Sequence, residues 1–560
     1  MPTDPSQPEP RAREPEGAER TPPRQQGLGA RVGRGVSWMM LATVLAKGGS
    51  FAANIVLGWL LLKEDFGVFS VALGVASIAG VFREGGIRQV LIQKDGARYD
   101  RLSGAAFALG TRINLLAGAS LALLAPLLAI AYDKPITWLL VVMAIGVAIS
   151  TPASIYRAKL AIDLEYRKLA ELTAVSAAAR YGFTIAFAFM GLGAMALALP
   201  WIIVSIVEAL YGWRATGDRP WARPSHRRLW APLFGQTRWL LTGGFALTLL
   251  RQGNYVVLGF LASSAVVGVY FFAYQLVIQL NVLLAMSLQQ VLLPALTKLK
   301  DAPARHREAV LRATRVMTYG GTVLALTLAV TIDPLEQLIW RGKWHDAVPA
   351  VQAMALFFPV RMLLSVMNSG MISRGRNKQW ALLTLAQGAG LMVAAGVAGF
   401  LFDEPWEFAV VVGLYFATGV LLALVIGLRT IGVRALDLLG ALTPSWAIGL
   451  GCGAAVLHAD ASLAPWINGP ALAWLGALFG GLLVAPLDDI VLQILRAMAS
   501  ALAFNALFVG VMRVLRPAEL GEVVALAPGP VARRVRRMLL LPKASPHARA
   551  PSRETEKDES

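Results

Sequence analysis

An all-α polytopic membrane protein, with about 14 transmembrane helices and two six-helix lobes around a central cavity, is the fold class this sequence predicts. Three observations predict it. Of 560 residues, 56% are hydrophobic and 15% charged, against about 25% charged in an ordinary soluble domain. The apolar residues fall in runs of about 20, the length a helix needs to cross a core of roughly 30 Å. The chain also matches itself when shifted by 201 residues. Short alternating strands, the mark of a membrane barrel, are not seen in the sequence.

Taken in order, residues 1–36 are rich in Pro, Glu, Gln and Arg without apolar periodicity, and read as a disordered cytoplasmic tail. They show no charged n-region, apolar h-region and cleavage site in succession, so no removable signal peptide is expected. The glycines of 27–35 follow no strand and miss the spacing of a nucleotide loop. Twelve apolar stretches then read as spans: 37–61, 68–93, 104–132, 136–160, 170–192, 194–213, 239–262, 264–296, 316–340, 347–373, 380–402 and 406–428. The first six form one lobe (37–214), a basic linker follows (215–238), and the next six form the second lobe (239–428). Residues 429–516 add further helices, with apolar runs at 441–460, 469–486 and 490–515, and 517–560 form a basic cytoplasmic tail. The arginines of 532–543 belong inside by charge, which favours two crossings over three here and leaves 469–486 partial, re-entrant or merged with its neighbour.

Alternate loops give the orientation. One set carries Arg98 and Arg101, then Arg157 to Lys168, Arg214 to Arg228, Lys298 to Arg315, and Arg374 to Lys378. The other set is short and mixed or acidic: Lys63-Glu64-Asp65, Asp133-Lys134, Asp403-Glu404. The basic set is cytoplasmic, and both termini with it. This also accounts for the formal charge of +18 without nucleic acid as a partner. The single cysteine, Cys452, lies in an apolar run and excludes an internal disulfide. No cofactor or metal is expected.

The repeat is ungapped. Leu57-Gly58-Trp59-Leu60 meets Leu258-Gly259-Phe260-Leu261, Gly67-Val68-Phe69 meets Gly268-Val269-Tyr270, and Gln89-Val90-Leu91 meets Gln290-Val291-Leu292. Six spans separate the copies. The halves are therefore parallel repeats about an axis along the membrane normal, with the site between them.

Function enters through charges at mid-membrane. Lys47 is central in the first span with Ser50 and Asn54 on its face, and Arg83 lies in the second. Arg180 is central in the fifth, Arg251 in the seventh, and Arg361 in the tenth with Ser365 and Asn368 on its face. Asn254 and Tyr255 follow Arg251 at helical spacing. Five such cations in lipid would cost roughly 12–17 kcal/mol even on lenient insertion scales. They must face water or partners. Anions within spans are few, Glu84 and Glu208, with Asp333 and Glu336 near an outer end; Glu84 pairs with Arg88 at i, i+4 spacing, and Glu84 and Glu208 are the candidates for ion coupling. A net positive cavity suits an anionic substrate, phosphate above all. Tyr270, Tyr274, Gln275 and Gln279 line a sugar path or pack helices, two readings of equal weight. A phosphate-binding GxxxxGK loop, a nucleophile–base pair and a large external loop are all missing from the sequence, so the chain is not expected to be an enzyme.

The run LLKEDFGVFSVALGVASIAGVFREGGIRQVLIQ (61–93) resembles bacterial polysaccharide flippases, the Wzx-type oligosaccharide transporters of the superfamily that also holds lipid II flippases and MATE exporters. Residues 276–313 and SRGRNKQWALL (373–383) are similar to the same family, over roughly 30–435 in all. Arg251 matches an arginine common in the family's seventh span; the position three on, often acidic there, is Asn254. Glu84 matches an acidic position of the second-span motif, here flanked by Arg83 and Arg88. The resemblance implies flipping of undecaprenyl-diphosphate-linked oligosaccharide across the bacterial inner membrane for exopolysaccharide or O-antigen. Lipid-linked oligosaccharide and membrane lipids would be its partners, with glycan polymerase and chain-length machinery beside it. The alternatives are a lipid II-type flippase, a MATE-like antiporter, and, from another class, a membrane glycan polymerase or ligase.

Overall fold

A computed structural model describes residues 24–84, 91–92, 99–225, 228, 230–281, 287–466, 485–525 and 529–539. Every regular element among them is helical. In the first half these are α1 (Arg24–Leu60), α2 (Lys63–Glu84), α3 (Tyr99–Tyr132), α4 (Thr137–Ala148), α5 (Thr151–Ile162), α6 (Tyr166–Phe189), α7 (Met195–Ala198) and α8 (Pro200–Thr216). The second half has α9 (Trp230–Leu261), α10 (Ser264–Asn281), α11 (Ser287–Lys298), α12 (Pro303–Trp340), α13 (Ala347–Met362), α14 (Leu364–Ser373), α15 (Asn377–Leu401), α16 (Pro405–Tyr415) and α17 (Leu421–Arg429). After these come α18 (Ala435–Trp466), α19 (Ala485–Leu515), α20 (Pro517–Val524) and α21 (Gly529–Met538).

Among the described residues, 11 helices are long and apolar enough to cross a membrane, or 12 if the bent pair α4–α5 is one span. The long α9 and the shorter apolar α10 occupy two more of the predicted stretches. Leu123, Ile130, Phe400 and Leu436 are each about four-fifths exposed on the outer surface, as a lipid-facing belt requires. The predicted stretch 469–486 lies almost wholly outside the described residues.

Local chemistry breaks several of the predicted spans. The stretch 136–160 bends by 42° between α4 and α5, where Pro152 starts the second helix and buried Asn114 donates to the Thr151 hydroxyl at 2.9 Å. The stretch 347–373 divides between α13 and α14, and α16 passes to α17 through a π-helical turn at 416–420. Three expected disordered or linker segments are partly helical instead. α1 begins at Arg24, directly after Pro22-Pro23. Residues 230–238 extend α9, and the C-terminal tail contains α20, whose Glu522 binds Arg315 of α12 at 2.9 Å.

Two lobes meet most closely at the end of the bundle that carries the short loops. There α2 crosses α10 without side chains between them. A Cβ on Gly67 would stand 1.7 Å from the Ser264 carbonyl oxygen, and one on Gly268 would stand 1.8 Å from that of Lys63. Gly67 and Gly268, like Lys63 and Ser264, are 201 positions apart, so the pseudo-twofold axis of the repeat runs through this crossing. Further along, α2 packs on α9, with Val256 filling the space at Gly74. The equivalent pair, α1 and α10, makes no comparable packing among the described residues. Among the described residues the lobes therefore pack closely through α2 with α9 and α10, while α1 meets the second lobe at the end of α12.

Behind the second lobe, α18 and α19 pack against α12. Arg496 of α19 donates to Asp460 of α18 at 2.6 Å and bridges to Asp333 of α12 at 2.8 Å, with only 6% of its side chain exposed. Removing one partner of a buried ion group leaves the others desolvated and unpaired. Arg496→Met is expected to destabilise the protein by about 3–5 kcal/mol, read as a lowered unfolding temperature in detergent, with a smaller loss for Asp333→Asn.

Candidate functional site

A cavity of about 550 Å³ lies between the lobes. The first lobe lines it with Lys47, Ser50 and Asn54 of α1, Leu73 of α2, Arg180 and Thr184 of α6, and Trp201 of α8. From the second lobe come Arg251, Gln252 and Tyr255 of α9, Tyr274, Gln275 and Gln279 of α10, Arg361 of α13, and Ser365 and Asn368 of α14. Four cations converge here from four helices, and among the described lining residues none is an aspartate or glutamate. In a low-dielectric enclosure such charges repel one another strongly unless an anion enters.

The four cations are not equivalent. Arg361 is 6% exposed and donates through Nη1 to the Tyr274 hydroxyl. Its guanidinium also lies over the rings of Phe416 at 4.8 Å and Tyr274 at 5.1 Å, a setting that stabilises a desolvated arginine. It is a fixed charge in the cavity wall. Arg251 is exposed, and its charge acts on Lys47 opposite. Ser50 and Asn54 follow Lys47 at i+3 and i+7, so one stripe of α1 faces the cavity. Asn368 is present but partly engaged, since its Oδ1 accepts from Trp380 Nε1 at 2.7 Å.

Other expected site residues lie elsewhere. Asn254 is fully buried and donates to the Tyr270 hydroxyl at 3.0 Å. It packs α9 to α10 rather than lining the cavity, and Tyr270 goes with it. A helix turns about 100° per residue, so the face carrying Arg251 takes in Tyr255 at i+4 but turns Asn254 into the neighbouring helix. Glu208 is also outside the cavity lining; α8 packs beside α5, and Arg157 Nη2 binds Glu208 at 2.7 Å. The side chains of Arg83 and Glu84 lie outside the described residues. Sequence reasoning missed Gln252, Thr184 and Trp201, none of which carries a charge or a motif to single it out.

The sequence pattern of the family described as polysaccharide biosynthesis protein matches residues 56–349. The lipopolysaccharide biosynthesis protein WzxC of Escherichia coli K12 is 21% identical over 346 residues, covering 61% of this chain and 70% of WzxC. The teichuronic acid biosynthesis protein TuaB of Bacillus subtilis 168 is 22% identical over 408 residues, 69% of this chain and 80% of TuaB. Among solved structures, a lipid II flippase MurJ in an inward closed conformation aligns with a TM-score of 0.63 at 12% identity, covering 85% of this chain and 99% of that one. At that identity the likeness speaks for the fold alone.

Proposed function

This chain belongs to the polysaccharide biosynthesis protein family, and from that premise we propose that it flips undecaprenyl-diphosphate-linked oligosaccharide across the bacterial inner membrane. The observation that carries the reading is the cavity wall: four cations and no carboxylate among the described lining residues. A diphosphate entering there replaces like-charge repulsion with charge-assisted hydrogen bonds, each about twice as strong as a neutral one. Arginine's planar fork is the better match to phosphate oxygens, with Lys47 as a mobile point charge. The neutral hydrogen-bonding groups along α10 and α14, Gln275, Gln279 and Ser365, suit sugar hydroxyls beside the phosphates.

The sparse packing between α1 and α10 among the described residues supports a lateral passage there as the second requirement. A polyprenyl tail is as apolar as the bilayer and gains nothing by leaving it, so the lipid stays outside while its head crosses within. We read the short-loop end as outside and both termini as inside, a reading supported by the distribution of arginine and lysine among the loops. A carrier of cationic drugs would want a negative cavity, and the lining here has the opposite sign. Transport, without covalent chemistry, is the activity assigned.

Deleting the gene and assaying the lipid fraction tests this reading. Undecaprenyl-diphosphate-linked oligosaccharide should accumulate in the cytoplasmic leaflet, and surface polysaccharide should be lost. Normal surface glycan with no accumulated lipid would refute it.

A further inference from the structure

The last turns of α1 and α9 each leave carbonyls without helical partners and carry the negative end of a helix dipole. In both cases a lysine from the opposite lobe covers them. Lys134, in the loop between α3 and α4, donates to the Gly259 carbonyl at 2.6 Å and the Ala262 carbonyl at 3.0 Å, both at the end of α9. Lys343, between α12 and α13, donates to the Trp59 carbonyl at 2.8 Å and the Leu61 carbonyl at 2.7 Å, at the end of α1. Leu61 and Ala262 are equivalent under the 201-residue repeat.

The residues before each lysine repeat the arrangement. Tyr132 OH donates to the Val256 carbonyl at 3.0 Å, and Trp340 Nε1 donates to the Ile55 carbonyl at 3.1 Å; Ile55 and Val256 are again 201 apart. Asp133 and Arg341 then take left-handed backbone, with φ of 49° and 54°. Such conformations are disfavoured for side chains other than glycine. Each loop passes through such a residue before its lysine, the second through Gly342 (φ 85°) as well, and each lysine reaches the other lobe. The sequence hides this motif, because Tyr132 and Trp340 are 208 apart and Lys134 and Lys343 are 209 apart, off the offset of 201.

We propose that Lys134 and Lys343 are twin positioning residues that set the balance between the sealed and opened states of this end, each lobe's lysine clasping the other lobe's first helix. Burial pushes both amines below the ordinary lysine value, as expected for groups withdrawn from water into a contact. Between them they join four carbonyls across the lobe interface, and every one of these bonds must break for the lobes to part here. The inference rests on the reading that transport requires the lobes to separate at this end.

Electron–electron resonance distances in lipid nanodiscs test it without any substrate, and so independently of the transported lipid. Spin labels go on Leu192 and Asp403, exposed on opposite lobes at the sealed end, or on Lys168, half-buried in the first turn of α6, and Lys378, exposed in the first turn of α15, in a Cys452→Ala background. Lys134→Ala with Lys343→Ala should raise the population with a widened Leu192–Asp403 distance at least about tenfold, and shorten the Lys168–Lys378 distance in the same molecules. Each single alanine variant should do so in part, and paired Lys→Arg replacement should restore the wild-type distribution. Unchanged distances in the double variant overturn the proposal. So does a general broadening without the opposite change at the other end, which would make the lysines merely structural. If the double variant does not fold, the single variants decide by the same two criteria.

Discussion

Arg251→Ala is expected to slow translocation of lipid-linked oligosaccharide about ten- to hundredfold while the protein still accumulates in the membrane. The magnitude follows from losing one hydrogen bond to a charged group, worth about 1.5–3 kcal/mol. Arg251 is the cleanest of the cavity cations to remove. Arg361 is packed among aromatic rings and bound to Tyr274, so its loss would also damage the wall. Arg251 is exposed, and among the described residues no hydrogen bond or ion pair holds its guanidinium in the second lobe's packing. Its variant should therefore keep the wild-type unfolding temperature. Arg251→Lys should recover part of the activity, because the charge is kept and the bidentate fork is not. The check is export of lipid-linked oligosaccharide in cells with matched amounts of membrane protein; wild-type export by the alanine variant would remove Arg251 from the site.

Gly268→Val is expected to abolish transport almost completely, by a different route. A Cβ there would stand 1.8 Å from the Lys63 carbonyl oxygen, a backbone atom that cannot rotate away. The crossing of α2 and α10 would have to open, holding the lobes apart at the sealed end. Alanine or valine would not harm either helix by itself, since glycine is the poorer helix former, by about 1 kcal/mol against alanine and a few tenths against valine. Any loss is thus chargeable to the crossing. Gly67→Val should reproduce it through the Ser264 carbonyl, and a label at the sealed end should become accessible to water in both variants. A variant that transports normally and keeps the label protected would show that this end does not gate passage.

Much of the architecture was legible because membrane physics writes it plainly. A bilayer core forces apolar runs of near-constant length, so most helices fall where hydropathy placed them. The repeat was legible for a related reason: Gly67 and Gly268 sit where two helix backbones touch, and only glycine fits both. The breaks at 148–151 and 362–364 were not legible, since broken and straight spans carry the same apolar content. The site was half legible. A charge in a span is costly, so Lys47, Arg180, Arg251 and Arg361 announce a shared wet space. Asn254 and Glu208 could not be assigned this way, because a polar group satisfied by a neighbouring helix looks the same in sequence as one facing a cavity. Tyr270 and Arg157, their partners, are reached only through packing.

The account's central claim is that the cationic cavity carries an anionic lipid head from one leaflet to the other. The direct measurement is a leaflet assay on purified protein in proteoliposomes, using undecaprenyl-diphosphate-linked oligosaccharide with a fluorescent sugar and a quencher confined to the outside. Wild-type protein is expected to make the protected fraction accessible within the assay, and Arg251→Ala, reconstituted in equal amount, to do so at least about tenfold more slowly. Equal rates for the two proteins, or no rate above protein-free vesicles for either, would contradict it.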